Sequence, residues 1–372
     1  MTTCALTTCA LTTCALLCPA ATTPSTSSSC GTRRAPPARC GSRPRARLTP
    51  LRPPRQLARS CTGGVLGHLM INAMALPPLL AHGSAALKAA VVPSIVRGEA
   101  FISLAVSEPG AGSDVAALAA TAERRGDTYV LNGTKKWITG CLWANYFTLA
   151  ARTGGPGTGG LSLFLVDAAA PGVSTRRIRT QGGGAHNTGW VFLKDVVVPC
   201  DRLIGREGAG FGYMMSNFNH ERWMIAAQAV RCARACLSEA WAHARVRRTF
   251  GTTLLGHGVL RAKLADMARR VEAAQALLEA HTHRMAAADG DDDGLAASAA
   301  LLKVHASVTF EFCAREASQI FGGAAVVREG PGRLVERLYR EVRATAIPGG
   351  AEEVLRDLAV RQADRTGRRA KL

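Results

Sequence analysis

The chain has 372 residues, 47% of them apolar and 20% charged, with no apolar run long enough to cross a bilayer. This composition suits two or three domains around a substantial core and excludes a membrane-spanning protein. The formal charge of +19 invites a polynucleotide reading. However, the first 98 residues hold eleven Lys/Arg and no Asp or Glu, leaving 35 basic against 27 acidic residues in the other 274. That excess fits an anionic small molecule such as a nucleotide, or a polynucleotide, and charge alone does not choose.

Residues 1–61 are rich in Thr, Ser, Pro, Arg and Cys, begin with TTCAL three times over, and show no sustained apolar period. They read as a disordered leader of transit-peptide type, or as an artefact of gene prediction, and contribute nothing to the fold. Seven of the twelve cysteines lie there without CxxC spacing, so neither zinc nor a disulfide framework is indicated and a reducing compartment is expected. Residues 62–99 predict short helices in LGHLMINAMALPPLLA and ALKAAVVPSIV.

Residues 100–205 change to strand-like runs, AFISLAVSE, TYVLNG, KKWIT, YFTLAAR, LSLFLVDA and WVFLKDVVVP, broken by turn signals at 125–127, 132–133 and 154–160. This predicts a small all-β domain. From 206 to 366 the period is helical. One stripe runs through Trp223, Ala226, Val230, Ala233, Leu237 and Trp241, and another through Leu260, Leu264, Met267, Val271, Ala274 and Leu278. Segments near 295–320 and 332–346 and a last helix to about Arg365 complete a bundle, with a basic tail at 367–372. The acidic run at 289–294 reads as a solvated loop, because the twelfth position from Asp289 is Ala300 where a calcium loop needs glutamate.

Two stretches raise chemical questions. In SEPGAGSDVAALAATAERRGDTYVLNGTKKWITG, a strand runs into a Gly-rich turn whose backbone donors and Ser113 suit a polar or anionic ligand. Trp137 and Thr139, as alternate strand residues, would share a face and set a flat ring beside a hydroxyl, although spacing alone favours Trp137 as core. In IPGGAEEV (347–354), Pro-Gly-Gly separates two helices and places Glu352 and Glu353 in a first turn favoured by the helix dipole, so neither reads as a base.

The first stretch resembles the acyl-CoA dehydrogenase family, flavoenzymes that oxidise acyl-CoA thioesters to the 2-enoyl form. The resemblance continues through KDVVVPCDRLIGREGAGF, RRTFG, SQIFGG and LYREVRATAIPGGAEEVLRDLAVRQ and covers roughly 64–365. It implies a multidomain α+β fold: an N-terminal helical part, truncated here, a middle β-barrel-like domain and a C-terminal helical bundle, with FAD between the last two. Val106, Ser107, Trp137 and Thr139 match positions around the isoalloxazine ring, and Ser113 one near CoA. Arg247, Phe250, Gln319, Gly322 and Gly323 match positions that reach the FAD of a neighbouring subunit, which implies a homodimer or homotetramer.

Many members carry their catalytic glutamate in a Tyr-Glu-Gly-Thr sequence, where this chain has Pro348-Gly349-Gly350-Ala351. Long-chain and isovaleryl-type members instead carry it on an earlier long helix, in a Glu-Arg pair that NFNHERWMIAA matches with Glu221 and Arg222. Glycine at 349 and glutamate at 221 are then one compensated pattern, with Glu221 the base and Arg222 beside the substrate. Gly258 departs from the glutamine that many members have. NFNHERW, ARVRRTFG and AIPGGAEEVLRDLAVRQ together are similar to the subgroup that fungi often fuse to a cytochrome-b5-like domain, though no haem-binding His-Pro-Gly-Gly sequence occurs here.

The resemblance implies electron-transferring flavoprotein as acceptor and no nucleic-acid partner. An oxidase and a non-catalytic, nucleic-acid-binding flavoprotein are the alternatives. The leader points to the mitochondrial matrix, and the C-terminal AKL to the peroxisome.

Overall fold

The computed structural model describes residues 71–182, 187–288 and 293–369. The leader, residues 62–70, most of the acidic run and the AKL terminus lie outside them.

A helical turn at 71–75 precedes α1 (Pro77–His82) and α2 (Ala85–Val96). The proline pair supplies the fixed φ that a first turn accepts, and Ser84 caps α2 by accepting from the Leu87 N–H at 3.1 Å. An eight-stranded sheet follows, made of β1 (Ile102–Ala105), β2 (Thr121–Arg125), β3 (Thr128–Ile138), β4 (Tyr146–Arg152), β5 (Leu161–Asp167), β6 (Val173–Arg177), β7 (Gly189–Pro199) and β8 (Leu203–Ile204). Its order is β6-β7-β3-β2-β4-β5-β8, with β1 parallel to β4. Only one residue pair, Thr121 with Arg152, joins β2 to β4, so the sheet is pinched there.

Two strand expectations need correction. Asn132-Gly133 is no turn: TYVLNG and KKWIT are one strand, β3, bulged between Leu131 and Gly133 against β7. Gly133 has φ 144°, and a Cβ there would stand 2.6 Å from that of Ala120, so close approach rather than chain reversal demands the glycine. β2 (TAERR) and β6 (VSTRR) escape the apolar pattern because they are mostly exposed and charged. The 125–127 signal does mark the β2–β3 turn, with Gly126 at φ 59°.

The helical unit comprises α3 (Gly210–Val246), α4 (Gly258–Ala287), α5 (Ala296–Phe321), α6 (Arg333–Ala346) and α7 (Glu352–Arg369). Gly210 starts α3 flush against β5, where a Cβ would meet the Ser162 backbone at 2.8 Å, and the Ser162 hydroxyl accepts from Gly208 N–H at 2.8 Å. Both predicted stripes face one core, which holds Trp223, Ala226, Val230, Ala233, Leu264, Met267, Val271, Ala274 and Leu278. Trp241 leaves that core and is 38% exposed, with the Arg245 guanidinium 5.9 Å from its ring. A short hairpin, β9 (Arg248–Thr249) and β10 (Thr252–Thr253), follows α3, and Gly258 opens α4. Among the described residues, no helix is long and apolar enough to cross a membrane, and no group of three metal-ligating side chains occurs.

Candidate active site

Glu221 sits in the first half of α3, 5% exposed. Its Oε1 accepts a 2.6 Å bond from Asn217 Nδ2, one helical turn earlier, and the same nitrogen donates to the Met74 carbonyl at 2.8 Å. Burial pushes the Glu221 carboxyl up to about 8 against the opposing pull of the Arg222 charge. A carboxylate in such a setting is a stronger base than an exposed one.

Arg222 turns to the loop. Its Nε donates to the Gly349 carbonyl at 3.0 Å and a second nitrogen donates to Asn219 Oδ1 at 2.9 Å. Gly349 has φ 72°, and a Cβ there would lie 2.9 Å from Ile225 Cδ1. From below, the buried Lys303 ammonium donates to the carbonyls of Ala346 and, at 2.9 Å, Gly350. Glu352 and Glu353 open α7, as the dipole argument requires. Glu352 accepts from the Ser307 hydroxyl at 3.0 Å and Glu353 is exposed. The loop is thus a braced connector, and the acid it lacks is on the neighbouring turn of α3.

Val106 is buried and Ser107 half-buried just past β1, and the Ser107 carbonyl accepts from Lys136 N–H at 2.9 Å. Beneath them lies a constellation that pattern reading missed. Glu108 takes a 2.7 Å bond from Lys135 Nζ and accepts from Ala119 N–H at 2.8 Å and Ala120 N–H at 3.0 Å, while Lys135 also donates to the Val106 carbonyl at 3.1 Å. Both side chains are buried, and burial pulls Lys135 down to about 8 despite Glu108. A Glu in the segment after β1 and a Lys 27 residues on, in β3, carry no sequence periodicity.

Trp137 is not core. It is 48% exposed, with φ 61° at the second bulge of β3, where the chain between Lys135 and Ile138 shifts register. Regular alternation with Thr139 therefore fails: the strand stops at Ile138 and Thr139 stands in the turn beyond. The bulge presents the indole outward beside Lys136, whose ammonium lies 4.5 Å from its ring centre. Ile71 comes within 3.8 Å of the position a Gly140 Cβ would take, and Met74 meets Asn217. One helical turn therefore links the end of the Trp137–Thr139 segment to the Glu221 cluster. Ser113 is exposed in the turn after the Glu108–Ala111 bridge.

The second predicted set is at the other end of α3. At about 1.5 Å per residue, Arg247 lies roughly 39 Å along the helix from Glu221. Arg247 is exposed, and Phe250 is 97% exposed at the hairpin tip with φ 48°. Gln319, Gly322 and Gly323 are exposed at the end of α5, and Cβ atoms added to the two glycines would meet nothing within 4 Å. The donor set fits FAD: an outward indole with Ser107 and Thr139 nearby for the ring system, and an arginine, an amide and open glycine backbone for pyrophosphate.

Residues 103–196 match the acyl-CoA dehydrogenase middle domain, and residues 208–363 the acyl-CoA dehydrogenase C-terminal domain. The chain is 39% identical over 313 residues to acyl-CoA dehydrogenase apdG of Emericella nidulans, a match that covers 82% of this chain and 72% of that protein. It is 36% identical to the cyclohexane-1-carbonyl-CoA dehydrogenase of Geobacter metallireducens, over 82% of this chain and 79% of the relative. A probable acyl-CoA dehydrogenase from Mycobacterium abscessus superposes with a TM-score of 0.78 at 40% identity, over 82% of this chain and 80% of that one. The two matched domains, the relatives and the sheet-plus-bundle architecture together place this chain in the acyl-CoA dehydrogenase family, as an oxidoreductase that uses FAD.

Proposed function

We propose that the chain removes the α-proton of an acyl-CoA thioester with Glu221 and delivers the 2-enoyl thioester. The observation that carries this is the buried Glu221 beside a loop with glycine at 349. FAD, when bound, supplies the hydride acceptor for the β-carbon. Glu221 takes the proton and Asn217 aims its carboxylate, while Val106, Ser107, Trp137 and Thr139 frame the ring and Ser113 and Arg222 serve the substrate. The span of α3 carries Arg247 and Phe250 far from Glu221, and Phe321 stacked on His243 puts Gln319, Gly322 and Gly323 at that same far end, which supports a homodimer or homotetramer in which they reach the partner's cofactor.

Electron-transferring flavoprotein as acceptor, a place in fatty-acid β-oxidation and location in the mitochondrial matrix complete the reading, together with kinship to the fungal cytochrome-b5-fused subgroup. The test is anaerobic flavin bleaching across a panel of straight, branched and cyclic acyl-CoAs. Rapid peroxide formation on admitting air would replace the dehydrogenase with an oxidase, and absence of bleaching by every member would sink the reaction.

The burial of Glu221 sets the pH dependence. The base works ionised, so the bleaching rate should rise with pH and level off above about 8. Stopped-flow rates from pH 6 to 9.5 check this, and a plateau reached by pH 6 would contradict it. By contrast, Glu352→Gln and Glu353→Gln should leave bleaching intact and cost about 0.3–1 kcal/mol each in urea melts, the value of a first-turn charge.

A further inference from the structure

Asn217 is buried at 7% exposure, and its two terminal atoms have opposite fates. Nδ2 meets two acceptors, Glu221 Oε1 and the Met74 carbonyl, whereas Oδ1 is buried with no hydrogen-bond partner. Turning the amide over does not cure this, because it would set Oδ1 against the Met74 carbonyl, which can only accept. The nitrogen is committed and the oxygen is left over. A buried acceptor without a donor is costly in a folded protein and calls for a specific explanation. Its position supplies one: Oδ1 belongs to the same amide whose Nδ2 lies 2.6 Å from Glu221 Oε1, so it is within roughly 5 Å of the proposed base.

We propose that Asn217 is a specificity-determining residue whose Oδ1 accepts a hydrogen bond from an O–H or N–H group of the bound thioester close to its reacting carbons. This rests on the assignment of Glu221 as base. Two parts of a CoA thioester offer such a donor: a hydroxyl on the acyl chain, or the pantetheine amide nearest the sulfur. An acyl chain with only C–H groups at that point would leave Oδ1 unpaired, and discrimination against it follows from the same cost that the free protein bears.

The test uses the FAD-loaded enzyme and compares wild type with Asn217→Leu, which keeps the volume and removes both polar atoms, and with Asn217→Ala. The first arm measures by calorimetry the affinity for pivaloyl-CoA and hydroxypivaloyl-CoA, which lack an α-proton and do not turn over. The second measures bleaching by butyryl thioesters of pantetheine and of a thiol with the same chain but no amide. The wild type is expected to favour the donor-bearing member of one pair by on the order of tenfold, and both variants to lose that ratio. Preference in the first arm assigns the hydroxyl, and preference in the second the pantetheine amide.

A wild type that discriminates in neither arm overturns the proposal, even if the variants fail to fold. So does a ratio unchanged in the variants. Bleaching without an Asn217-dependent ratio would leave the dehydrogenation standing, whereas an Asn217-dependent calorimetric ratio without bleaching by any acyl-CoA would sink the dehydrogenation alone.

Discussion

Glu221→Gln is expected to slow flavin bleaching by acyl-CoA by roughly 10²–10⁴-fold, the range a positioned general base contributes, while FAD stays bound. Glutamine keeps the size and can still accept from Asn217 Nδ2 through its amide oxygen, so the Asn217–Met74 tether survives and the loss is that of the base alone. Neither acid of the loop can replace it: Glu352 is held by Ser307, and Glu353 faces solvent. Gly349→Glu in the same background should recover only part of the rate. A side chain at φ 72° is strained, and Ile225 must yield to its Cβ. If Glu221→Gln bleached at the wild-type rate and Glu353→Gln did not, the loop would be the catalytic element after all.

Glu108→Gln should destabilise the protein by about 3–5 kcal/mol, because it leaves the buried Lys135 without its countercharge. The substituted amide must also set its NH2 against Lys135 Nζ and the Ala120 N–H, which share one oxygen of Glu108, or against the Ala119 N–H, which meets the other; all are donors. The pH dependence has a definite sign. Without Glu108 the folded-state pKa of Lys135 falls below about 8 while the unfolded value stays near 10.5, so the unfolded chain binds more protons between them. Above about 8 the wild-type Lys135 is neutral in the folded state too, so the variant's deficit against the wild type should shrink as pH rises to about 8 and then hold. Urea melts at pH 7 and pH 10 measure it, and a deficit that does not shrink at the higher pH would show that Lys135 is not the source. Adding Lys135→Met should restore much of the loss, since an apolar replacement of a buried pair is often neutral. FAD affinity should fall in the single variant as well, because Lys135 also holds the Val106 carbonyl next to Ser107.

By itself the sequence determined the order of strand-rich and helix-rich segments, the two buried stripes of α3 and α4, and the acid-bearing first turn of α7. These depend on residues three to eight apart, which local periodicity and turn chemistry report. The likeness of NFNHERW and IPGGAEEV to known motifs also identified Glu221 as the acid to examine. Only the tertiary structure decided that Asn132-Gly133 is a bulge in a continuous strand, because the reason is Ala120, just before the neighbouring strand β2. It likewise turned Trp137 outward through a register shift against β7, which no count along β3 reveals. Three further facts about the site came from contacts distant in sequence: Lys135 under Glu108, Arg222 on Gly349, and Asn217 between Met74 and Glu221. Burial sets the charge of Glu221, and Asn217, one turn earlier on the same helix, aims it; the Met74 carbonyl that holds Asn217 in turn reaches it only when the chain closes.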